Sequence, residues 1–102
     1  MDVEARPRAE TTFIYALYDQ GGGGARYVGK SNSPASRLRV HRSNALTQRS
    51  TKSHLGAWIR KVESSGSKIE MRVIDEVPRS LWQIAEQAWI RDFRALGVRL
   101  VN

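Results

Sequence analysis

Four consecutive glycines, Gly21 to Gly24, separate two short runs suited to β-structure. A glycine run of that length rules out a helix across it and gives the backbone freedom to reverse. The preceding run, Thr12 to Tyr18, is rich in β-branched and aromatic residues and apolar on both faces, which predicts a central strand. Arg26 to Ser31 reads as a second strand, so the two segments are expected to form a hairpin. With a pivot near Gly21, Tyr15 should lie opposite Tyr27, and both rings should leave the sheet from one face. The glycine run is not read as a phosphate loop, because a strand follows it and not a helix opened by Lys and Ser or Thr.

Downstream the periodicity becomes helical. Ser33 and Pro34 form a helix start, with serine at the N-cap and proline in the first turn, and the helix should run to about Leu46. Ser53 is expected to cap a second helix carrying Leu55, Trp58, Ile59 and Val62, ended by Gly66. Ile69, Met71 and Val73 alternate with Glu70 and Arg72, a half-buried strand that Pro78 stops. Ser80 to Gln83 reads as a capping box opening a long helix. Its core side is predicted to hold Leu81, Ile84, Ala85, Ala88, Trp89, Phe93 and Leu96, with Gly97 as the stop and Val98 to Asn102 as an extended tail. Residues 1–11 are polar and aperiodic and are expected to be a disordered tail before one domain over 12–102. The fold class expected is α+β: a small three-stranded antiparallel sheet with three packed helices, in the order β-β-α-α-β-α.

Charge narrows the partners. The 102 residues suffice for one modest core, and the net charge is +7. No acid interrupts the chain between Arg26 and Lys61. Lys30, Arg37, Arg39, Arg42, His54, Arg60 and Lys61 are therefore candidates for phosphate contacts, with salt-sensitive binding. A merely solvated basic surface is the plainer reading of the same charges. The chain has no cysteine, so any metal must be held by oxygen or imidazole. A reducing cytoplasm fits that composition.

Glu86 is the sharpest local signal, since it lies between Trp82 and Ile90 with Trp89 and Phe93 beside it. A carboxylate among apolar groups needs a cation, either a divalent metal or an arginine. Asp92 also falls toward the apolar side of this helix and reads as a structural partner of an arginine. Tyr15 and Tyr27 would each, alone, be ordinary core tyrosines. Facing one site beside Lys30, Arg37 and a metal, either could be held as a phenolate and serve as a general base. Arg37 suits a phosphate because its planar fork donates in pairs. His41, one helical turn later, could donate to the phosphate, orient Tyr15 or move a proton.

Phe13, Ile14 and Tyr15, then Tyr27, Val28 and Gly29, then Arg37, His41, Glu86 and Asn102, resemble in order and spacing the GIY-YIG nuclease superfamily. The resemblance spans about Phe13 to Asn102 and is that of a lone catalytic domain, homing-endonuclease-like or excision-repair-nuclease-like. It implies a metal-dependent DNA endonuclease. Glu86 would hold one Mg²⁺ or Mn²⁺, Tyr15 with Tyr27 would activate water, Arg37 would stabilise the charged phosphate and His41 would assist. Gly29 and Asn102 would be positioning residues, and His54 is similar to a histidine of homing-endonuclease members. Phe13 departs from the signature glycine, a change expected at a strand start and outside the chemistry. The DNA implied is branched, damaged, or of phage or mobile-element origin, met in the cytoplasm of a bacterium or by a phage-encoded protein. A homodimer, or a separate recognition domain or partner, would supply further specificity. Two other readings stand beside this one: a non-catalytic basic module that binds nucleic acid, and a protein-interaction domain with a basic surface.

Overall fold

The computed structural model describes residues 10–47 and 53–102. Strand β1 (Thr11–Asp19) and strand β2 (Ala25–Ser31) form the hairpin, followed by α1 (Pro34–Thr47), α2 (His54–Ser64), β3 (Ile69–Pro78) and α3 (Trp82–Ala95). A 3₁₀ turn, Arg79–Leu81, joins β3 to α3. Both pairings are antiparallel and the strand order is β2-β1-β3, so the strand that is apolar on both faces is the central one. The α+β class and the order β-β-α-α-β-α are those expected. Residues 1–9, most of the expected tail, lie outside the described residues, and Thr11 already belongs to β1. Phe13 is inside β1, not at a strand start.

Side chains alternate across β1 and sort the helices onto two faces. Tyr15 and Leu17 pack with Ala45 of α1, Trp58, Ile59 and Val62 of α2, and Ile69. Ile14, joined by Val28, packs against Ile90, Ala85, Trp89 and Phe93 of α3. Helix α2 begins as expected: the Ser53 hydroxyl accepts from the Gly56 N–H at 3.2 Å, satisfying one free donor of the first turn.

The hairpin register differs from the expected one. Tyr15 pairs with Gly29, and Leu17 pairs with Tyr27. The turn takes in Gln20 to Gly24 and a register shift sits beside Tyr18, so the pivot moves toward Gly22. A shift of two residues preserves the face, so both tyrosines still project together, now on a diagonal.

Three further corrections concern β3 and α3. The alternation in β3 does not continue through Val73: Ile14 pairs with Asp75 and Tyr15 with Val73, which leaves Ile74 as an inserted residue. That bulge sends Ile69 and Met71 to the α1/α2 side, and Ile74 and Val77 to the α3 side. The capping box at Ser80 does not form, because the 3₁₀ turn occupies those residues and α3 starts without a side-chain cap. Ile84 and Leu96, placed in the core by the sequence pattern, are 70% and 82% exposed. The helix is rotated so that Ala85, Trp89, Ile90 and Phe93 face the sheet, a rotation that gives the Trp89 indole N–H an acceptor in the Asp75 carboxylate at 3.0 Å. A buried indole N–H without a partner would be costly, which favours this rotation. Asp92 is accordingly exposed and pairs only with its neighbour Arg91, at 3.4 Å.

Candidate active site

The site is assembled where β2 carries no side chain. A Cβ added at Gly29 would lie 2.5 Å from the Tyr15 hydroxyl oxygen and 2.6 Å from the ring carbon that bears it. Glycine at this position therefore lets the Tyr15 ring lie across β2. The ring of Tyr27 sits beside it, with centroids 6.2 Å apart, and presents itself edge-on to His41 at 5.5 Å.

Helix α1 supplies the next two groups. His41 is buried, and its Nε2 lies 2.7 Å from the Tyr15 hydroxyl. Arg37, one turn earlier and exposed, reaches the Tyr15 hydroxyl with its guanidinium. Ser33 fixes the start of that turn, since its carbonyl accepts from the Arg37 N–H at 3.0 Å.

Burial governs the titration of this cluster. Tyr15 is pushed well above the ordinary phenol range by burial and by Tyr27, and the opposing pull of Arg37 is smaller. Tyr27 is also raised, by burial first and by the Glu86 carboxylate second. Among the groups of the chain itself burial outweighs the pull of Arg37, so both phenols stay protonated in the protein alone. His41 moves the other way, down to about 4, because burial and then Arg37 disfavour its cation. At neutral pH the imidazole is neutral and the phenol is intact. In the tautomer of that neutral ring with its proton on Nδ1, the Tyr15 O–H donates and His41 Nε2 accepts.

Glu86 comes from α3, half-buried, with its pKa raised by loss of water and lowered in smaller measure by Lys30. Its charge is felt at both tyrosines. Among the described residues it has no hydrogen-bonding or ion-pair partner, so the salt bridge weighed from the sequence is absent. The Lys30 ammonium stands over the Trp82 ring, 5.0 Å from its centroid. No cluster of three His, Asp or Glu exists among the described residues.

Asn102 is firmly held. Its side chain accepts from the Val28 N–H at 2.9 Å and donates to the Val28 carbonyl at 2.7 Å, and the Val101 N–H reaches Arg26 O. The tail thereby pairs with the outer edge of β2, next to Gly29.

The other basic candidates divide. Arg39 is exposed on α1 and donates to Ser36. Arg42 is paired with Glu63 at 2.8 Å, and Arg60 donates to the Ala45 carbonyl, so both tie α1 to α2. His54 and Lys61 line a cavity whose walls include none of Tyr15, Tyr27, Arg37, His41 or Glu86. Arg26, the first member of the basic stretch read as able to neutralise phosphates, stacks with Trp58, and Trp82, read only as a neighbour of Glu86, stacks with Lys30. Trp82 stands one turn before Glu86, which was the available signal.

The chain belongs to the GIY-YIG family: residues 11–99 match the model of the GIY-YIG catalytic domain. Members of that family are nucleases that act on DNA, and the domain gives this chain a nuclease-type function, the cleavage of DNA. No curated protein and no solved structure matches it.

Proposed function

We propose that this protein is a divalent-metal-dependent endonuclease that hydrolyses DNA phosphodiesters at the cluster of Tyr15, Tyr27, Arg37, His41 and Glu86. The observation carrying the proposal is Glu86: a half-buried carboxylate without a hydrogen-bonding or ion-pair partner among the described residues, whose charge reaches both tyrosines. Such a group fits a hard cation. Mg²⁺ or Mn²⁺ accepts a single protein carboxylate when water and substrate phosphate complete the shell. When bound there, the metal supplies Lewis acidity to the phosphate oxygens and to the departing 3′ oxygen.

The chain's own residues handle the proton and the charge. As water attacks phosphorus, its proton passes to the Tyr15 oxygen while the Tyr15 proton passes to His41 Nε2. The phenol is conserved, the imidazole becomes imidazolium, and the P–O3′ bond breaks to leave a 5′ phosphate and a 3′ oxyanion. The oxyanion takes a proton from solvent water to become the 3′ hydroxyl, while the imidazolium later gives its proton back to solvent. This relay needs no free phenolate, in keeping with the raised pKa of Tyr15. Arg37, exposed beside the same hydroxyl, donates to the phosphate as negative charge builds. Tyr27 borders the water site, Gly29 admits the Tyr15 ring and Asn102 holds β2 in place. Lys30 and Arg39 contribute phosphate attraction around the cluster, and Arg42 and Arg60 serve the α1–α2 packing instead.

The test is cleavage of supercoiled plasmid and of labelled branched DNA with Mg²⁺ or Mn²⁺, wild type against Glu86→Ala. Cutting by wild type alone, stopped by a chelator, is expected. Salt-sensitive binding by both proteins without cutting by either would make this a non-catalytic nucleic-acid-binding module.

A further inference from the structure

A cavity of about 420 Å³ opens between α2, the end of β1, the start of β2 and the C-terminal tail. His54, Trp58 and Lys61 face it at one-turn intervals along α2, and Arg26, Asp19 and Val101 complete the wall. Three of these residues are bases. Among the described residues none of Arg26, His54 and Lys61 has an ion-pair partner, and Arg26 Nε is buried without a hydrogen bond. The Arg26 guanidinium is held over the Trp58 ring, 5.9 Å from its centroid. That stacking fixes the planar fork while leaving its donors to find an acceptor.

Asp19 is the one acid of the wall. Its Oδ1 accepts from the Gly21 N–H at 2.8 Å and from the Ser67 hydroxyl, and these bonds hold its pKa down. It is an anchor of the hairpin turn, and the cations outnumber it. A buried guanidinium donor, a lysine and an imidazole around a space of nucleotide size call for an anion that brings its own oxygens.

We infer that this cavity is a second phosphate subsite, which takes a backbone phosphate of the DNA away from the scissile one. The inference rests on the nuclease reading for its register. Arg26 precedes Gly29 by three residues on β2, about 10 Å at roughly 3.3 Å per residue. Successive phosphates of one strand lie farther apart than the axial rise of about 3.4 Å, because the backbone winds round the helix, so the phosphate held lies about one or two nucleotides from the one at the Tyr15 cluster. Trp58, Val62 and Val101 supply the apolar wall for its sugar. The subsite would thus set which way the strand runs across the protein, a polarity the single cluster at Gly29 does not impose.

Binding and not cleavage is the readout, so the subsite can fail while the nuclease reading stands, and the reverse. Dissociation constants for a duplex are measured at several salt concentrations for wild type, Lys61→Ala, His54→Ala and the charge-keeping Lys61→Arg, in the full chain. Lys61 and His54 are exposed, and circular dichroism checks that each variant is folded. Lys61→Ala is expected to reduce the slope of log K against log salt by about one, and Lys61→Arg to restore it. Replacing single phosphates by neutral methylphosphonates should weaken wild-type binding at one position, about one or two nucleotides from the cut, and that effect should vanish in Lys61→Ala. Unchanged slopes in both alanine variants would overturn the proposal. So would saturable binding of inorganic phosphate at Lys61 with no methylphosphonate effect, which would make the ligand a free anion and not the DNA strand.

Discussion

The Tyr15 hydroxyl and His41 Nε2 are 2.7 Å apart inside the fold, and burial keeps both groups uncharged. Loss of water raises the phenol and depresses the imidazole, so the proton stays on Tyr15, and in the Nδ1–H tautomer the bare His41 Nε2 faces it. The pair is thereby primed to accept one proton from a third group without holding an anion in the core.

The first prediction concerns that coupling. Tyr15→Phe and His41→Ala should each lower the rate of cleavage by roughly 10²–10⁴-fold, the usual range for a proton-transfer group. Because the two form one relay, the double variant should be scarcely slower than the worse single one. Affinity for DNA should change little. Single-turnover rates on bound DNA provide the check, and additive losses would mean that the residues act separately.

The second prediction is a pH dependence of stability. His41 has a folded pKa of about 4 against 6.5 for the free side chain. Between those values the unfolded chain binds more protons, so stability rises with pH across the window. The contribution is complete above about 6.5 and is lost as pH falls toward 4. Its size is on the order of 2 kcal/mol, allowing for screening by nearby water. Denaturant unfolding at pH 7 and 4.5 should show wild type losing more stability than His41→Gln, which has no proton to gain there. Equal losses in the two proteins would show that His41 titrates normally.

The third prediction concerns Gly29. Its backbone needs no positive φ, so alanine brings no conformational penalty there. The added Cβ would instead meet the Tyr15 hydroxyl oxygen at 2.5 Å and a Tyr27 ring carbon at 2.9 Å. Neither ring has room to give, because both belong to the packed cluster. Gly29→Ala should lower stability by about 1–3 kcal/mol through overpacking, and cleavage should fall further than folding accounts for. Thermal melts and rates measured on the folded variant separate the two effects.

How much of this was legible in the sequence follows from what each residue answers to. The strands and helices were readable because period and breakers are local: the glycine run, Pro34, Ser53 and Gly97 act within a few residues. Pairing register was less so. The pivot at Gly21 or Gly22 depends on how four permissive residues share one turn, and only the parity that keeps Tyr15 and Tyr27 on one face was secure. Ile84 and Leu96 fit the helical pattern as well as Ile90 does, and the Trp89–Asp75 bond that turns the helix spans two elements. The strength of burial at Tyr15 was hidden for a similar reason. Cations show in a sequence, whereas depth of burial does not.

The last prediction concerns Asn102. Its amide imitates a strand partner, accepting from Val28 N–H and donating to Val28 carbonyl on the open edge of β2. Val28 precedes Gly29, so this pairing steadies the segment across which the Tyr15 ring lies. Asn102→Ala removes both bonds and should lower stability by about 1–2 kcal/mol. Asn102→Asp keeps an acceptor for the N–H but turns a second oxygen toward the Val28 carbonyl, so its loss should be at least as large. If Asn102 acts only through β2, both variants should lower the cleavage rate without altering its dependence on metal concentration. Hydrogen exchange at the Val28 amide should accelerate in step with that loss. A changed metal dependence with unchanged exchange would move Asn102 from the edge of the sheet to the ion itself.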